Sequence, residues 1–173
     1  DAKDKTVMPG LIDLHGHFFA GEQPDKHQGI LSTVWQQIRY LPNVRRKLVE
    51  SGVTSYRSLG DITPAIFKLK EALEVDDIAG PRIFIAGPIF SVAGGHPTQR
   101  KDIPRWVMDN MTFLSDEPTE VRDKVKQLVA NGVDGIKVAY QKHHGKVGGE
   151  TMPRRSNQTL KAIVDEAKTN GVW

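Results

Sequence analysis

The sequence predicts an α/β fold of the (β/α)n barrel kind, in which strands and helices alternate along the chain. Apolar stretches typical of buried strands alternate with amphipathic stretches typical of helices. The connections after strands are long and those after helices are short, as expected when function lies at the carboxyl ends of parallel strands. Three helix-to-strand junctions read Ser-Gly-Val-Thr, Asn-Gly-Val-Asp and Asn-Gly-Val-Trp, a rhythm that fits repeated β/α units.

Helix caps, apolar periodicity and turn residues give the boundaries of the elements. Thr63 followed by Pro64 marks one helix start and Ser156 marks another, because these residues favour the first turn of a helix. Val172 and Trp173 would begin a fifth strand. The predicted strands are 7–15, 53–59, 82–87 and 133–140, the predicted helices are 30–41, 44–50, 63–73, 118–130 and 157–169, and long loops are predicted at 88–117 and 141–155.

Length and composition restrict the class of protein. The chain has 173 residues, the size of one domain, which we expect to cover 7–173 after a disordered tail at 1–6. The net charge of +3 comes from interleaved positive and negative residues, so no nucleic-acid partner is expected. The absence of cysteine excludes disulfides and thiolate metal sites. No membrane span and no signal-peptide pattern are found, so a cytoplasmic location is the default expectation.

The first predicted strand ends in two histidines, in the stretch Pro-Gly-Leu-Ile-Asp-Leu-His-Gly-His at 9–17. Alternate residues of a strand share a face, so Asp13, His15 and His17 are expected on the same side. Two imidazoles at this spacing can reach one metal ion, and Gly16 between them would leave the metal side uncrowded. The alternative is a pair of ordinary histidines at a strand end.

This stretch resembles the first-strand signature of the amidohydrolase superfamily, and the chain is most similar to its imidazolonepropionase and Xaa-Pro dipeptidase-like branch. The resemblance implies a TIM-type (β/α)8 barrel with a divalent metal site at its carboxyl-terminal mouth. This chain would supply about the first four β/α units of that barrel. One or two metal ions are implied for the complete protein, with Zn²⁺ the expected ion.

Lys137 lies in the fourth predicted strand between Ile136 and Val138, whose side chains would face the helices. Lys137 would then point into the barrel, where an ammonium group is costly. If burial lowers its pKa, the free amine can react with carbon dioxide to give a carbamate suited to bridging two metals. Lys137 matches the strand-four lysine that has this role in many amidohydrolases. The alternative is a lysine that snorkels, or that pairs with Asp13 or Asp134.

The loop after the third predicted strand contains His96, within Gly-Gly-His-Pro at 94–97. The motif is similar to a Gly-Gly-His of the same branch, where the histidine contacts substrate or its oxyanion and not the metal. His96 is therefore a second candidate catalytic residue beside Lys137, and a loop histidine without a role is the alternative. His27, His143 and His144 are interpreted as exposed loop residues.

Strand two contains Arg57, which is buried by its position and is expected to need a carboxylate partner. The family often has Arg-Asp at this place. Here Ser58 follows the arginine and the acid is Asp61, so no role is carried over to Asp61.

The resemblance predicts a metal-dependent hydrolase of an amide-type C–N bond, in a cyclic amide or a dipeptide, that uses a metal-activated water. His15, His17 and Lys137 are the predicted ligands, and the family's other ligands and its general base follow strands five to eight. We therefore expect a fragment with little activity alone, which pairs with the second half of a barrel or with itself. A non-catalytic half-barrel that binds metal or a partner chain is the alternative from another class. Hydrolysis of esters, lactones or phosphoesters on the same site also remains open.

Overall fold

The computed structural model describes residues 3–19, 30–75, 78–142 and 151–173, and within the first helix it leaves out the side chains at 30 and 32–39. The elements of the described residues are β1 (Leu11–Gly16), α1 (Ile30–Glu50), β2 (Val53–Ser58), α2 (Thr63–Glu74), β3 (Arg82–Ile85), β4 (Ile89–Ser91), α3 (Arg105–Met111), β5 (Thr112–Leu114), α4 (Pro118–Ala130), β6 (Lys137–Val138) and α5 (Asn157–Thr169).

The strands form two short sheets in which every pairing among the described residues is parallel. One sheet has the order β1-β2-β3, and in the other β4 lies between β5 and β6. The sheets adjoin, because the backbone N–H of Asp134, just before β6, donates to the carbonyl oxygen of Ile85 in β3 at 2.9 Å. Parallel strands joined through helices make this a mixed α/β structure consistent with part of a TIM barrel.

The backbone of Trp173 forms hydrogen bonds with the segment that precedes β6. Its N–H donates to the carbonyl oxygen of Asp134 at 3.4 Å, and its carbonyl oxygen accepts from the N–H of Ile136 at 2.7 Å. These two bonds are the pattern of one parallel bridge. The fifth strand predicted to begin at Val172 is not among the strands of the described residues.

Several predicted boundaries are wrong. The segment 88–117 is not a long loop, because β4, α3 and β5 lie within it; the third predicted strand breaks at Gly87, whose φ is 65°, and resumes as β4. The two helices predicted at 30–41 and 44–50 are one helix that contains Pro42; a proline removes one hydrogen bond of a helix, but its φ of about −65° is a helical value. The fourth predicted strand, 133–140, is reduced to the two residues of β6. Near its predicted start, the Asp134 side chain, and not a backbone carbonyl, accepts the N–H of Ile85, so the regular pairing of strand backbones does not extend there.

The hydrophobic core lies between the strands and helices α2, α4 and α5. Its most buried apolar side chains are Phe18, Ile66, Ile85, Phe90, Val121, Val125, Leu128 and Ile163, each 1% exposed or less. Lys70 on α2 ties the helix layer to the sheet, because its Nζ donates to Asp134 Oδ2 at 2.8 Å. Among the helices that the structure describes, none has the length and apolarity needed to cross a membrane.

Strand β1 has an apolar face that is largely exposed within the described part of the chain. Ile12 and Leu14 are 60% and 61% exposed, and they lie on the face opposite to His15. Apolar side chains in a parallel sheet are normally covered by helices. This face is therefore available for contact with another surface.

Candidate active site

The four predicted site residues line one cavity at the carboxyl ends of the strands. His15 and His17 at the end of β1, Lys137 in β6 and His96 after β4 border a space of about 340 Å³. The two imidazole rings lie close together, with their centroids 5.7 Å apart. Parallel strands bring their carboxyl ends to one edge, which explains how residues far apart in sequence meet here.

His17 is oriented by the turn that follows β2. Its Nδ1 lies 3.2 Å from the carbonyl oxygen of Gly60, which can only accept a hydrogen bond. Nδ1 therefore carries the proton, and the lone pair is on Nε2. A backbone carbonyl on one ring nitrogen is the usual arrangement for a histidine that binds a metal through the other.

Asp61 holds the backbone immediately after His17. Its carboxylate accepts hydrogen bonds from the N–H groups of Phe18 at 2.9 Å and Phe19 at 3.0 Å, and from Ser58 Oγ at 2.5 Å. Asp61 is 2% exposed, and burial raises the pKa of its carboxyl group. The three hydrogen bonds act in the opposite direction, because they stabilise the carboxylate. Sequence reasoning assigned it no role, although its place directly after a strand and a glycine was a usable signal.

The tyrosine of strand two explains Gly16 better than an uncrowded metal side does. A Cβ on Gly16 would lie 1.9 Å from the Tyr56 hydroxyl oxygen. Tyr56 is buried, and its ring packs against Phe18 with a centroid distance of 4.4 Å. A side chain at position 16 would clash with Tyr56, so glycine is required there.

Lys137 faces the cavity, in a setting that disfavours its charged form. Burial lowers the pKa of its amine, and the Arg57 guanidinium lowers it further. The two carboxylates considered as partners are engaged elsewhere: Asp134 Oδ2 pairs with Lys70 Nζ, and Asp13 Oδ1 accepts the backbone N–H of His15 at 3.0 Å. A lysine in this position has a larger neutral fraction than an exposed one.

Arg57 lies close enough to His15 and Lys137 to interact with both electrostatically. Its guanidinium carbon is 3.6 Å from the centroid of the Trp173 ring, a cation–π contact. Its Nε is buried and has no hydrogen-bond partner among the described residues. The pKa of His15 is lowered first by burial, then by Lys137, and also by Arg57. The carboxylate partner expected for Arg57 is thus replaced here by an aromatic face.

The loop that carries His96 is fixed by hydrogen bonds to its backbone. Ser91 Oγ donates to the carbonyl oxygen of His96 at 2.7 Å, and Arg155, which is 2% exposed, donates to the carbonyl oxygen of Ser91 at 2.6 Å. Gln99 Nε2 lies 3.2 Å from His96 Nδ1. With the amide as donor, His96 Nδ1 accepts and its Nε2 carries the proton.

Among the described residues of the cavity, a divalent cation would have enough ligands only if Lys137 provided one. Among the described residues, no group of three or more His, Cys, Asp or Glu side chains could hold a metal ion. His15 and His17 supply two imidazoles, and an ammonium cannot be a ligand. A carbamate on Lys137 would complete a donor set of two nitrogens and an anionic oxygen, which suits Zn²⁺. His27, His143 and His144 lie outside the described residues.

The parallel strands and the cavity at their carboxyl ends are those of a mixed α/β protein consistent with part of a TIM barrel. The sequence model of the amidohydrolase family matches residues 6–173, and the chain belongs to this family. Among curated proteins, no match to the sequence was found.

Solved structures place the chain near Xaa-Pro dipeptidases, as predicted. A prolidase in complex with N-methylphosphonate-L-proline is 27% identical with a TM-score of 0.75, and the match covers 100% of this chain and 43% of that one. An Xaa-Pro dipeptidase with methionine bound in its active site is 27% identical with a TM-score of 0.71, covering 95% and 42%. An ochratoxinase from A. niger is 25% identical with a TM-score of 0.71, covering 94% and 41%. The chain thus spans less than half the length of each.

Proposed function

We propose that this chain carries part of the centre of a metal-dependent hydrolase that cleaves the amide bond of a dipeptide. The observation that supports it is the convergence of His15, His17, Lys137 and His96 on one cavity. Sequence reasoning left cyclic amides and dipeptides open. The similarity to a prolidase and an Xaa-Pro dipeptidase favours dipeptides with a C-terminal proline.

His15, His17 and Lys137 are the proposed ligands of a divalent cation, with Zn²⁺ the expected ion. The Nε2 lone pair of His17 is available because Gly60 engages Nδ1. In its neutral form, the Lys137 amine forms a C–N bond to carbon dioxide and releases one proton, which leaves an anionic carbamate. When bound, the cation supplies Lewis-acid polarisation of the carbonyl and a water of lowered pKa.

His96 is proposed to contact the reacting carbonyl. With the Gln99 amide as donor to Nδ1, the proton of its neutral ring is on Nε2, and Ser91 Oγ donates to its backbone carbonyl oxygen. A donor fixed in this way can stabilise the negative charge that develops on the carbonyl oxygen without reorganising during the reaction. His96 would therefore affect turnover but not metal binding.

Metal titration tests the ligand assignment. We expect Zn²⁺ to bind stoichiometrically in bicarbonate buffer, and His15→Ala, His17→Ala or Lys137→Met to weaken it by at least about 100-fold, because losing even an outer-shell partner costs 10–100-fold. His96→Ala is the matched control from the same cavity and should bind Zn²⁺ normally. Equal affinity in all four variants would contradict the assignment. Native mass spectrometry should detect one added carbon dioxide, absent in Lys137→Met.

The uncovered face of β1 favours a second role, in binding a partner chain. Ile12 and Leu14 are exposed on one face of β1, and among the described residues β1 is also an edge strand, a position that pairs readily with other chains through its backbone. We propose that this edge contacts either the second half of a barrel or a second copy of the chain. Light scattering should detect self-association, and Leu14→Lys should abolish it; a monomer at all concentrations would exclude the second copy.

A further inference from the structure

Two of the helix-to-strand junctions contain the same tripeptide, Asn-Gly-Val, at 131–133 after α4 and at 170–172 after α5. The two turns have nearly the same backbone. Asn131 has φ −87° and ψ 3°, and Asn170 has φ −94° and ψ 6°. The glycines that follow have φ values of 85° and 71°. A chemical difference between the two sites must therefore come from the surroundings of the asparagine side chains.

Helix α5 holds the side-chain amide of Asn170. Its Nδ2 donates to the carbonyl oxygen of Glu166 at 2.8 Å and to Glu166 Oε1 at 3.0 Å. Glu166 is itself well fixed, because it is 9% exposed and its Oε2 accepts from Arg122 Nη1 at 3.3 Å. The Asn170 side chain can therefore rotate only after two hydrogen bonds have broken.

The side chain of Asn131 is not held in this way. It is exposed, and its amide makes no hydrogen bond within the described part of the chain. The residue four positions before it is Gln127, whose Oε1 accepts from Lys124 Nζ at 3.0 Å and is thus engaged elsewhere. The Asn131 amide can therefore change its rotamer at little cost.

We propose that Asn131 is a site of spontaneous deamidation and that Asn170, in the same tripeptide, is protected from it. The backbone nitrogen of Gly132 forms a bond to Asn131 Cγ and gives up its proton, and the bond from Cγ to Nδ2 breaks so that ammonia leaves with that proton. Water then opens the cyclic imide at either carbonyl carbon and leaves aspartate or isoaspartate. Glycine favours the first step because it has no side chain to shield its nitrogen. The inference does not depend on the proposed function.

The modification reaches the contact between the helix layer and the sheet. Asn131, Gly132 and Lys70 line one surface pocket. Lys70 Nζ donates to the carbonyl oxygen of Gly132 at 3.0 Å and to Asp134 Oδ2 at 2.8 Å. Isoaspartate lengthens the main chain by a methylene group and displaces the Gly132 carbonyl, whereas aspartate leaves the backbone unchanged. Isoaspartate at position 131 should therefore weaken the anchoring of Lys70.

Peptide mapping by mass spectrometry, after incubation of the folded chain in mildly alkaline buffer, measures both sites in one sample. We expect Asn131 to convert at least about 10-fold faster than Asn170, because two hydrogen bonds restrain the second amide. In urea the two rates should become alike, because the tripeptides are identical. Equal rates in the folded chain, a faster Asn170 or no conversion at Asn131 would overturn the proposal, and so would the same ratio in urea.

Glu166→Ala tests the cause of the protection. It removes one of the two acceptors and should raise the rate at Asn170 by at least about 2-fold, with the rate at Asn131 unchanged. Asp165→Ala is the matched control, because this acid lies on the same helix but pairs with Lys161 Nζ at 2.7 Å. An unchanged rate at Asn170 in a folded Glu166→Ala variant would contradict the assigned cause. If this variant does not fold, the comparison within the wild type decides alone.

Urea denaturation tests the link to Lys70. The isoaspartate form of the aged protein, separated by ion exchange, should unfold at a lower urea concentration than Asn131→Asp, which carries the same charge on an unaltered backbone. In the Lys70→Met background this difference should shrink, because the ammonium that contacts Gly132 is gone. Equal midpoints of the two forms, or an undiminished difference in Lys70→Met, would overturn the link.

Discussion

Removing the Asp61 carboxylate should destabilise the turn that orients His17. In Asp61→Ala the backbone N–H groups of Phe18 and Phe19 lose their acceptor, and Ser58 loses its partner. Phe18 is fully buried, so water cannot replace the carboxylate there, whereas Phe19 is only partly buried. The perturbation therefore acts mainly through one orphaned buried amide and partly through a second.

The magnitude follows from these contacts. An unsatisfied buried donor costs about 1–3 kcal/mol, so Phe18 at the upper end and Phe19 at the lower end give a loss of about 3–4 kcal/mol. Asp61→Asn keeps one acceptor oxygen and should lose about half as much. Asp109→Ala removes an acid from an exposed ion pair with Arg105 and should stay within about 0.5 kcal/mol.

Urea denaturation followed by circular dichroism measures these free energies of unfolding, and Zn²⁺ titration of the same variants reports on His17. We expect Asp61→Asn to weaken Zn²⁺ binding while remaining folded. A loss of stability below about 1 kcal/mol in Asp61→Ala would refute the reasoning, because the two amides would then have found other acceptors.

Three further changes test other contacts. Gly135→Ala should destabilise the protein, since its Cβ would lie 2.2 Å from the Trp173 ring; a melting temperature equal to that of the wild type would contradict this packing. Burial raises the pKa of Tyr56 above 10.0, so folding keeps this phenol protonated. Its contribution to stability is complete below pH 10 and should fall by about 1.4 kcal/mol per pH unit above it. In Tyr56→Phe that part of the loss in alkaline denaturation curves should disappear. Lys70→Met should lower the free energy of unfolding by about 1–3 kcal/mol, because it leaves the partly buried Asp134 carboxylate without its cation. An unchanged urea midpoint would contradict a stabilising role of the Lys70–Asp134 ion pair.

The sequence predicted the order of strands and helices because their signals are local. The helix at 118–130 and the Ser156 cap, whose Oγ accepts the N–H of Thr159, lie where periodicity and cap residues indicate. The segment 88–117 was not predictable in this way. Its strands β4 and β5 are three residues each and are defined by pairing with one another, which is information that no local pattern contains.

Part of the candidate site was also predictable. Alternation along β1 placed His15 and His17 on one face, and the resemblance singled out Lys137 and His96, which the structure brings to the same cavity. The contact partners of Asp61 and Arg57 were not, because Phe18 and Trp173 lie more than forty positions away from them in the sequence.

The stacking of Arg57 on Trp173 provides an intrinsic optical probe. Indole emission responds to nearby charge, and the guanidinium on this ring interacts with both His15 and Lys137. A divalent ion arriving between those two side chains would change the field at the indole. Fluorescence of the unlabelled protein, compared with Trp173→Phe, would therefore follow occupancy of the cavity in real time.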